Sequence, residues 1–158
     1  MAIATPATRA LTAAGVAFRA HEYDYDPGAD RIGLQAAAAL GVDPARLLKT
    51  LMVEVDGKPA CVAIPSNRSL SMKRVAAAFG AKSAAMMPPD KAERLTGFRT
   101  GGISPFGQKR RVPTAFEASA LGGEIYLNGG KRGLILGLDS AAALAAAGAI
   151  SAALVAEG

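Results

Sequence analysis

The chain has 158 residues and a net charge of +5 at neutral pH, with one cysteine, one histidine and no tryptophan. That length suits one domain, here 1–158, with a core of its own; the lone Cys61 excludes an internal disulfide and, with the lone His21, leaves no His/Cys metal site to build. No stretch is long and apolar enough to span a bilayer and the N-terminus lacks the plan of a signal peptide, so a reducing, cytoplasmic setting is the default expectation.

Thr5-Pro6 reads as an N-cap and first helical position, with Gly15 as the stop, which predicts a helix over 6–14. VAFRAHEY (16–23) has strand composition and leads into a polar loop, DYDPGADR (24–31). IGLQAAAAL reads as a helix stopped by Gly41, and Asp43-Pro44 as the start of another short one. KTLMVEV and PACVAIP then flank Asp56-Gly57-Lys58, the clearest hairpin signal in the chain. By the two-residue period Leu51, Val53 and Val55 share one face, and Lys49 has the same parity. Ser71 caps a helix over 72–79 that ends at Gly80, and PPDKAERL predicts a further turn or two. VPTAFE, EIYLN and GLILGL read as strands, the last two joined through Gly129-Gly130. Asp139 caps an Ala-rich helix to about 147. Strands and helices mix without a regular βαβ alternation, so the expected class is α+β with a mixed or mainly antiparallel sheet.

The charge is unevenly placed. Residues 1–66 hold six Lys/Arg against seven Asp/Glu, and residues 67–158 hold twelve against six. The second half therefore suits an anionic partner, or carries a merely solvated basic surface. No Gly-x-Ser-x-Gly elbow exists to pair with His21, which reads as a structural residue on a strand face. Cys61, inside ACVAI, reads as a small core residue rather than a nucleophile.

GGISPFGQKRR (101–111) first suggests a phosphate loop, because Gly102 and Gly107 have the right spacing. Gln108 stands where the lysine belongs, no Ser or Thr follows, and a strand comes next instead of a helix; nucleotide hydrolysis is excluded. What remains is a plain surface turn or a nest of backbone N–H groups able to polarise a carbonyl or hold a phosphate. The neighbouring cations would suit a phosphodiester chain.

Four segments, HEY (21–23), LLKTLMVEVDGK (47–58), GGISPFGQKRRVPT (101–114) and IYLNGGKRGL (125–134), with the helix MKRVAAAFGAK (72–82) between them, resemble the YbaK family. These are freestanding relatives of the prolyl-tRNA synthetase editing domain, and the resemblance runs over about 6–150. It implies a mixed, partly closed, barrel-like sheet surrounded by helices, and trans-editing: removal of a wrong amino acid from tRNA, cysteine from tRNA(Pro) or from tRNA(Cys), with alanine for some relatives. By position, Lys49 matches the family's essential lysine, Thr50 and Tyr23 pocket residues, Gly101, Gly102 and Ser104 the ester-facing loop, and Gly129 and Gly130 the second glycine turn. Asn128 stands where Ser is usual and can still donate a hydrogen bond; Ile135 stands where a carboxylate is common and cannot replace it.

The resemblance further implies that the substrate thiol attacks its own ester, with oxyanion stabilisation from Gly101 and Gly102, and with no metal or cofactor. Lys49 is expected to anchor the terminal phosphate or sugar. Lys109, Arg110, Arg111, Lys131 and Arg132 are expected to hold the acceptor stem. The partners are then aminoacylated tRNA and prolyl-tRNA synthetase, with no membrane. A water-using hydrolase acting on alanine and a non-catalytic tRNA- or synthetase-binding module are the alternatives.

Overall fold

The computed structural model describes residues 4–28 and 32–157, so part of the expected polar loop, 29–31, lies outside the described residues. Helix α1 (Pro6–Ala13) starts as expected. Thr5 Oγ1 accepts from Thr8 N–H at 3.0 Å, and Thr8 Oγ1 accepts from Thr5 N–H at 2.8 Å. This reciprocal box satisfies donors that a helix start otherwise leaves bare. Strand β1 (Arg19–Glu22) is shorter than the apolar run around it, and α2 (Ile32–Leu40) follows.

The helix expected at Asp43-Pro44 is only a turn. Asp43 Oδ1 accepts from Ala45 N–H at 2.9 Å and its carbonyl accepts from Arg46 N–H at 2.8 Å. By Leu47 the chain is already bridged to Tyr126, which leaves no room for a second turn. An aspartate that closes its own local loop competes with helix propagation.

Strands β2 (Leu48–Val55) and β3 (Lys58–Pro65) form the expected hairpin, with Val55 paired to Lys58. Asp56 and Gly57 both take positive φ, 48° and 81°, the twist that a two-residue hairpin turn requires. Then come α3 (Met72–Ala78), capped by Ser71, the unforeseen β4 (Ala84–Met86), and α4 (Pro89–Thr96). After the glycine loop the chain forms β5 (Thr114–Glu117), β6 (Glu124–Asn128), β7 (Leu134–Asp139), α5 (Ser140–Ala147) and a second unforeseen strand, β8 (Ile150–Ala152). Both unforeseen strands have three residues, too few to show a period.

One sheet has the order β1-β7-β6, all antiparallel. The other has the order β4-β2-β3-β5-β8, antiparallel up to β3 and parallel from β3 through β5 to β8. The sheet is mixed, as expected. The two sheets meet at Leu47 and Tyr126, where Tyr126 N–H also donates to the Arg46 carbonyl at 2.8 Å. That single bridge closes the sheet partly and stops short of a full barrel. The main core lies inside the bend, built on Leu48, Phe106, Phe116, Leu127 and Leu136. Each such side chain contributes roughly 1.5–3 kcal/mol by leaving water. Val53 and Val55 pack in a second cluster with Ile64 and Val75, so the parity read along β2 holds.

Candidate active site

A cavity of about 570 Å³ opens beside β2. Its wall includes Lys49, Thr50 and Met52 from β2, Tyr23 and Tyr25 after β1, Met86 and Met87 before α4, and Gly101 and Asn128 from the two glycine loops. Thr50 Oγ1 is buried and makes no hydrogen bond within the described residues. A buried hydroxyl without a partner costs about 1–3 kcal/mol, and it belongs to a residue of the cavity wall.

The glycine loop explains its own composition. Gly101 has φ 89°, and a Cβ there would lie 2.6 Å from Tyr25 Oη. A Cβ on Gly102 would lie 2.9 Å from the backbone nitrogen of Arg132. Two loop backbones touch at this point, and a side chain cannot fit between them. Asn128 fastens the contact. Its Nδ2 donates to the Gly101 carbonyl at 3.2 Å and its Oδ1 accepts from Gly130 N–H at 2.7 Å. Arg132 adds a second tie, donating from Nε to the Thr100 carbonyl at 2.8 Å, while its guanidinium sits 5.2 Å from the Tyr25 ring centre. Asn128 thus uses its amide both as donor and as acceptor inside the protein.

Of the two amides expected to face an ester, Gly102 N–H donates to the Arg99 carbonyl at 2.8 Å. Gly101 N–H has no acceptor among the described residues. Ser104 is fully buried and off the cavity wall; its hydroxyl accepts from Phe106 N–H at 3.2 Å and shapes the loop. Gly129 and Gly130 also lie off the wall, with the Gly129 carbonyl accepting from Thr5 Oγ1 at 2.6 Å. Lys109, Arg110 and Arg111 are exposed, and none lines the cavity. The Arg111 guanidinium reaches Gly148 at the end of α5 instead. Lys131 is exposed beside the wall residue Arg132.

Ile135 is buried in the cavity wall, in register with Asn128 on one side and His21 on the other. His21 lies on β1 with its ring 6.0 Å from Tyr126, off the wall, and its Nε2 has no partner among the described residues. Burial, with the nearby Tyr25, pushes the Tyr23 hydroxyl above its ordinary range, so it stays a neutral O–H at physiological pH. Cys61 is sealed in the core, and burial pushes its thiol up to about 12. It supplies no thiolate.

The sequence reading missed Arg68. This residue lines the cavity from the loop after β3, together with Ser66, Asn67 and Ser69, and its Nη2 donates to the Ala156 carbonyl at 2.9 Å. The polar run SNRS between a clear strand and a clear N-cap was the available signal.

The family model described as the aminoacyl-tRNA editing domain matches residues 26–145. EbsC of Enterococcus faecalis, named provisionally as a Cys-tRNA(Pro)/Cys-tRNA(Cys) deacylase, is 35% identical over 127 residues, which are 78% of this chain and 77% of EbsC. A proline–tRNA ligase of Nitratidesulfovibrio vulgaris strain DP4 is 33% identical over 81 residues, 51% of this chain but only 14% of the ligase. A solved structure described provisionally as a trans-editing enzyme for prolyl tRNA synthetase superposes with a TM-score of 0.84 at 22% identity, covering 99% of this chain and 100% of that one. At that identity the superposition speaks for the fold.

Proposed function

The chain belongs to the aminoacyl-tRNA editing domain family and is an aminoacyl-tRNA deacylase, and from that premise we propose that it removes cysteine from tRNA(Pro) by letting the substrate's own thiol cleave the ester. The observation that carries this reading is the wall itself. Lys49, Thr50 and the unengaged Gly101 amide share one cavity, while the protein's own thiol is sealed away from it.

In the proposed step the substrate sulfur attacks the ester carbonyl carbon and gives up its proton. The carbonyl oxygen gains charge and is held by Gly101 N–H. The carbon–oxygen bond to the terminal ribose then breaks, the ribose oxygen takes a proton, and the amino acid leaves as a cyclic thiolactone. Intramolecular attack of this kind is worth roughly 7–11 kcal/mol when the groups are well placed. One oxyanion donor contributes about 3–4 kcal/mol. Lys49 anchors the terminal phosphate or sugar, Thr50 and Tyr23 offer hydroxyls to the acyl group, and the editing unit spans 1–158. The reaction belongs in the cytoplasm, with prolyl-tRNA synthetase as the partner that supplies the mischarged tRNA.

Water attack on an alanyl ester is the second reading. The orphaned Thr50 hydroxyl favours it, since a hydroxyl there can also hold a water molecule. One panel separates these readings: Cys-, Ala- and Ser-tRNA(Pro), with S-methylcysteine on the same tRNA. Thiol assistance predicts release from Cys-tRNA(Pro) and at least a hundredfold loss on S-methylation. Equal rates for both esters would establish the water route. No release from any ester would leave a binding module.

A further inference from the structure

Gln108 is the residue of GGISPFGQKRR that neither the glycine cradle nor the basic run uses. Its side chain folds inward and is half-buried. Nε2 donates to the Ser104 carbonyl at 3.0 Å, and it also lies 3.5 Å from Cys61 Sγ and 3.6 Å from Met52 Sδ. Met52 stands on β2 two residues after Thr50 and lines the same cavity, and Cys61 is its register partner on β3. The Ser104 carbonyl belongs to the loop that carries Gly101. The bond to Ser104 stays within the loop and fixes its turn, while the same amide rests on Met52 and Cys61 of the hairpin that presents Lys49 and Thr50.

The loop's other hydrogen bonds run elsewhere. Gly102 N–H stays local with Arg99, and Gly101 is tied to Asn128 on β6. Lys109 and Arg110 hang their backbone N–H groups on the end of α4, from the Thr96 and Leu95 carbonyls. Among the described residues, Gln108 is the side chain whose hydrogen bonds connect this loop to β2 and β3.

We propose that Gln108 is a positioning residue that sets the distance between the Gly101 amide and the β2 groups Lys49 and Thr50. The proposal rests on the deacylase reading above. Bound substrate must meet both walls at once, because the ester oxygen faces Gly101 while the end of the RNA meets Lys49. A misplacement of about 1 Å costs such a reaction on the order of a hundredfold in rate, whereas binding through the RNA is spread over many contacts. Sulfur is a weak acceptor, so the Ser104 bond supplies most of the energy and holds the loop's turn in the shape that seats on β2 and β3.

The test compares single-turnover rate and KM on Cys-tRNA(Pro) for the full chain and for Gln108→Met, which keeps length and packing but removes the donor. The expected result is a 10- to 100-fold fall in rate, KM within about twofold, and a melting temperature within a few degrees of the parent. Cys61→Ala, which leaves the bond to Ser104, is expected to stay within about threefold of the parent rate. Should Gln108→Met not fold, Gln108→Asn keeps an amide that is one methylene too short to reach and is expected to show the same rate loss. An unchanged rate, or a loss expressed in KM alone, overturns the positioning role. A parent protein that releases nothing from any ester overturns the deacylase reading, and this role with it.

Discussion

The cations fall into two groups that sequence alone makes look alike. Lys49, Arg68 and Arg132 line the cavity, whereas Lys109, Arg110 and Arg111 stand exposed away from its wall. Arg68 is held by the Ala156 carbonyl and Arg132 by the Thr100 carbonyl. A side chain that is already ordered loses little entropy when it meets a phosphate. In the proposed function the exposed run acts through its field, which salt screens within about 8 Å at physiological strength. Under the proposed function, charge near the site and charge in it do separate work: the first raises encounter, and the second fixes geometry.

The largest expected effect tests the inner group. Lys49→Ala should lower deacylation of Cys-tRNA(Pro) by 100-fold or more with the melting curve intact. A surviving rate would remove Lys49 from the site and dissolve the contrast. Gly101→Ala should lower the rate about 10- to 100-fold, because the new methyl meets Tyr25 Oη and the φ of 89° strains any side chain. Tyr25→Phe in that background should recover part of the loss.

Arg68→Gln and Arg132→Gln sharpen the comparison next. Each should raise KM about tenfold and reduce the slope of log affinity against log salt by roughly one contact. Replacing Lys109, Arg110 and Arg111 together with Gln should act mainly on association at low salt, with about a threefold effect at physiological salt. If the triple variant costs more than Arg132→Gln there, the run contacts RNA directly and the division fails.

The smallest effect on rate, and one on stability, comes from the support beneath Arg68. Glu117 Oε1 accepts from Leu154 N–H at 2.8 Å and Val155 N–H at 3.1 Å, next to the Ala156 carbonyl that holds Arg68. Burial by itself would raise the carboxyl pKa, but these donors and Ser119 outweigh it and hold the pKa below the usual range. A folded pKa below the unfolded one contributes stability above the unfolded pKa, and that stability is lost as pH falls through the folded pKa. Glu117→Gln should therefore cost about 2 kcal/mol by urea unfolding at pH 7 and much less in acid. Its KM should shift toward that of Arg68→Gln, which only a link through the C-terminal segment would produce.

Local signals predicted the capped helices and the β2–β3 hairpin because their causes are local. Thr5, Ser71 and Asp139 bond to N–H groups three residues on, and Asp56-Gly57 sets its own turn. Strands β4 and β8 were invisible because three residues become a strand only when a neighbour supplies the other half of the ladder. The same holds at the site. Lys49, Thr50, Tyr23 and Gly101 were readable as candidates, and the fold brings them to one cavity. Arg68 offered only the polar run SNRS as a signal, because what holds it is a carbonyl 88 residues away.

The sequence by itself determined the class of the fold, the caps and turns, the lack of a second cysteine, and the candidate residues of the cradle. The caps and turns follow from residue types acting on neighbours a few positions away, and the cradle candidates from the resemblance to the family. Only the tertiary structure decided that Gly102 spends its amide on Arg99, that Ser104 is sealed, and that Asn128 ties the two glycine loops. It also decided that the basic run stays off the cavity wall while Arg68 and Arg132 line it. Those outcomes depend on which distant backbones come within hydrogen-bond reach, and on which polar groups folding leaves without water. The pairing of sheets sets both.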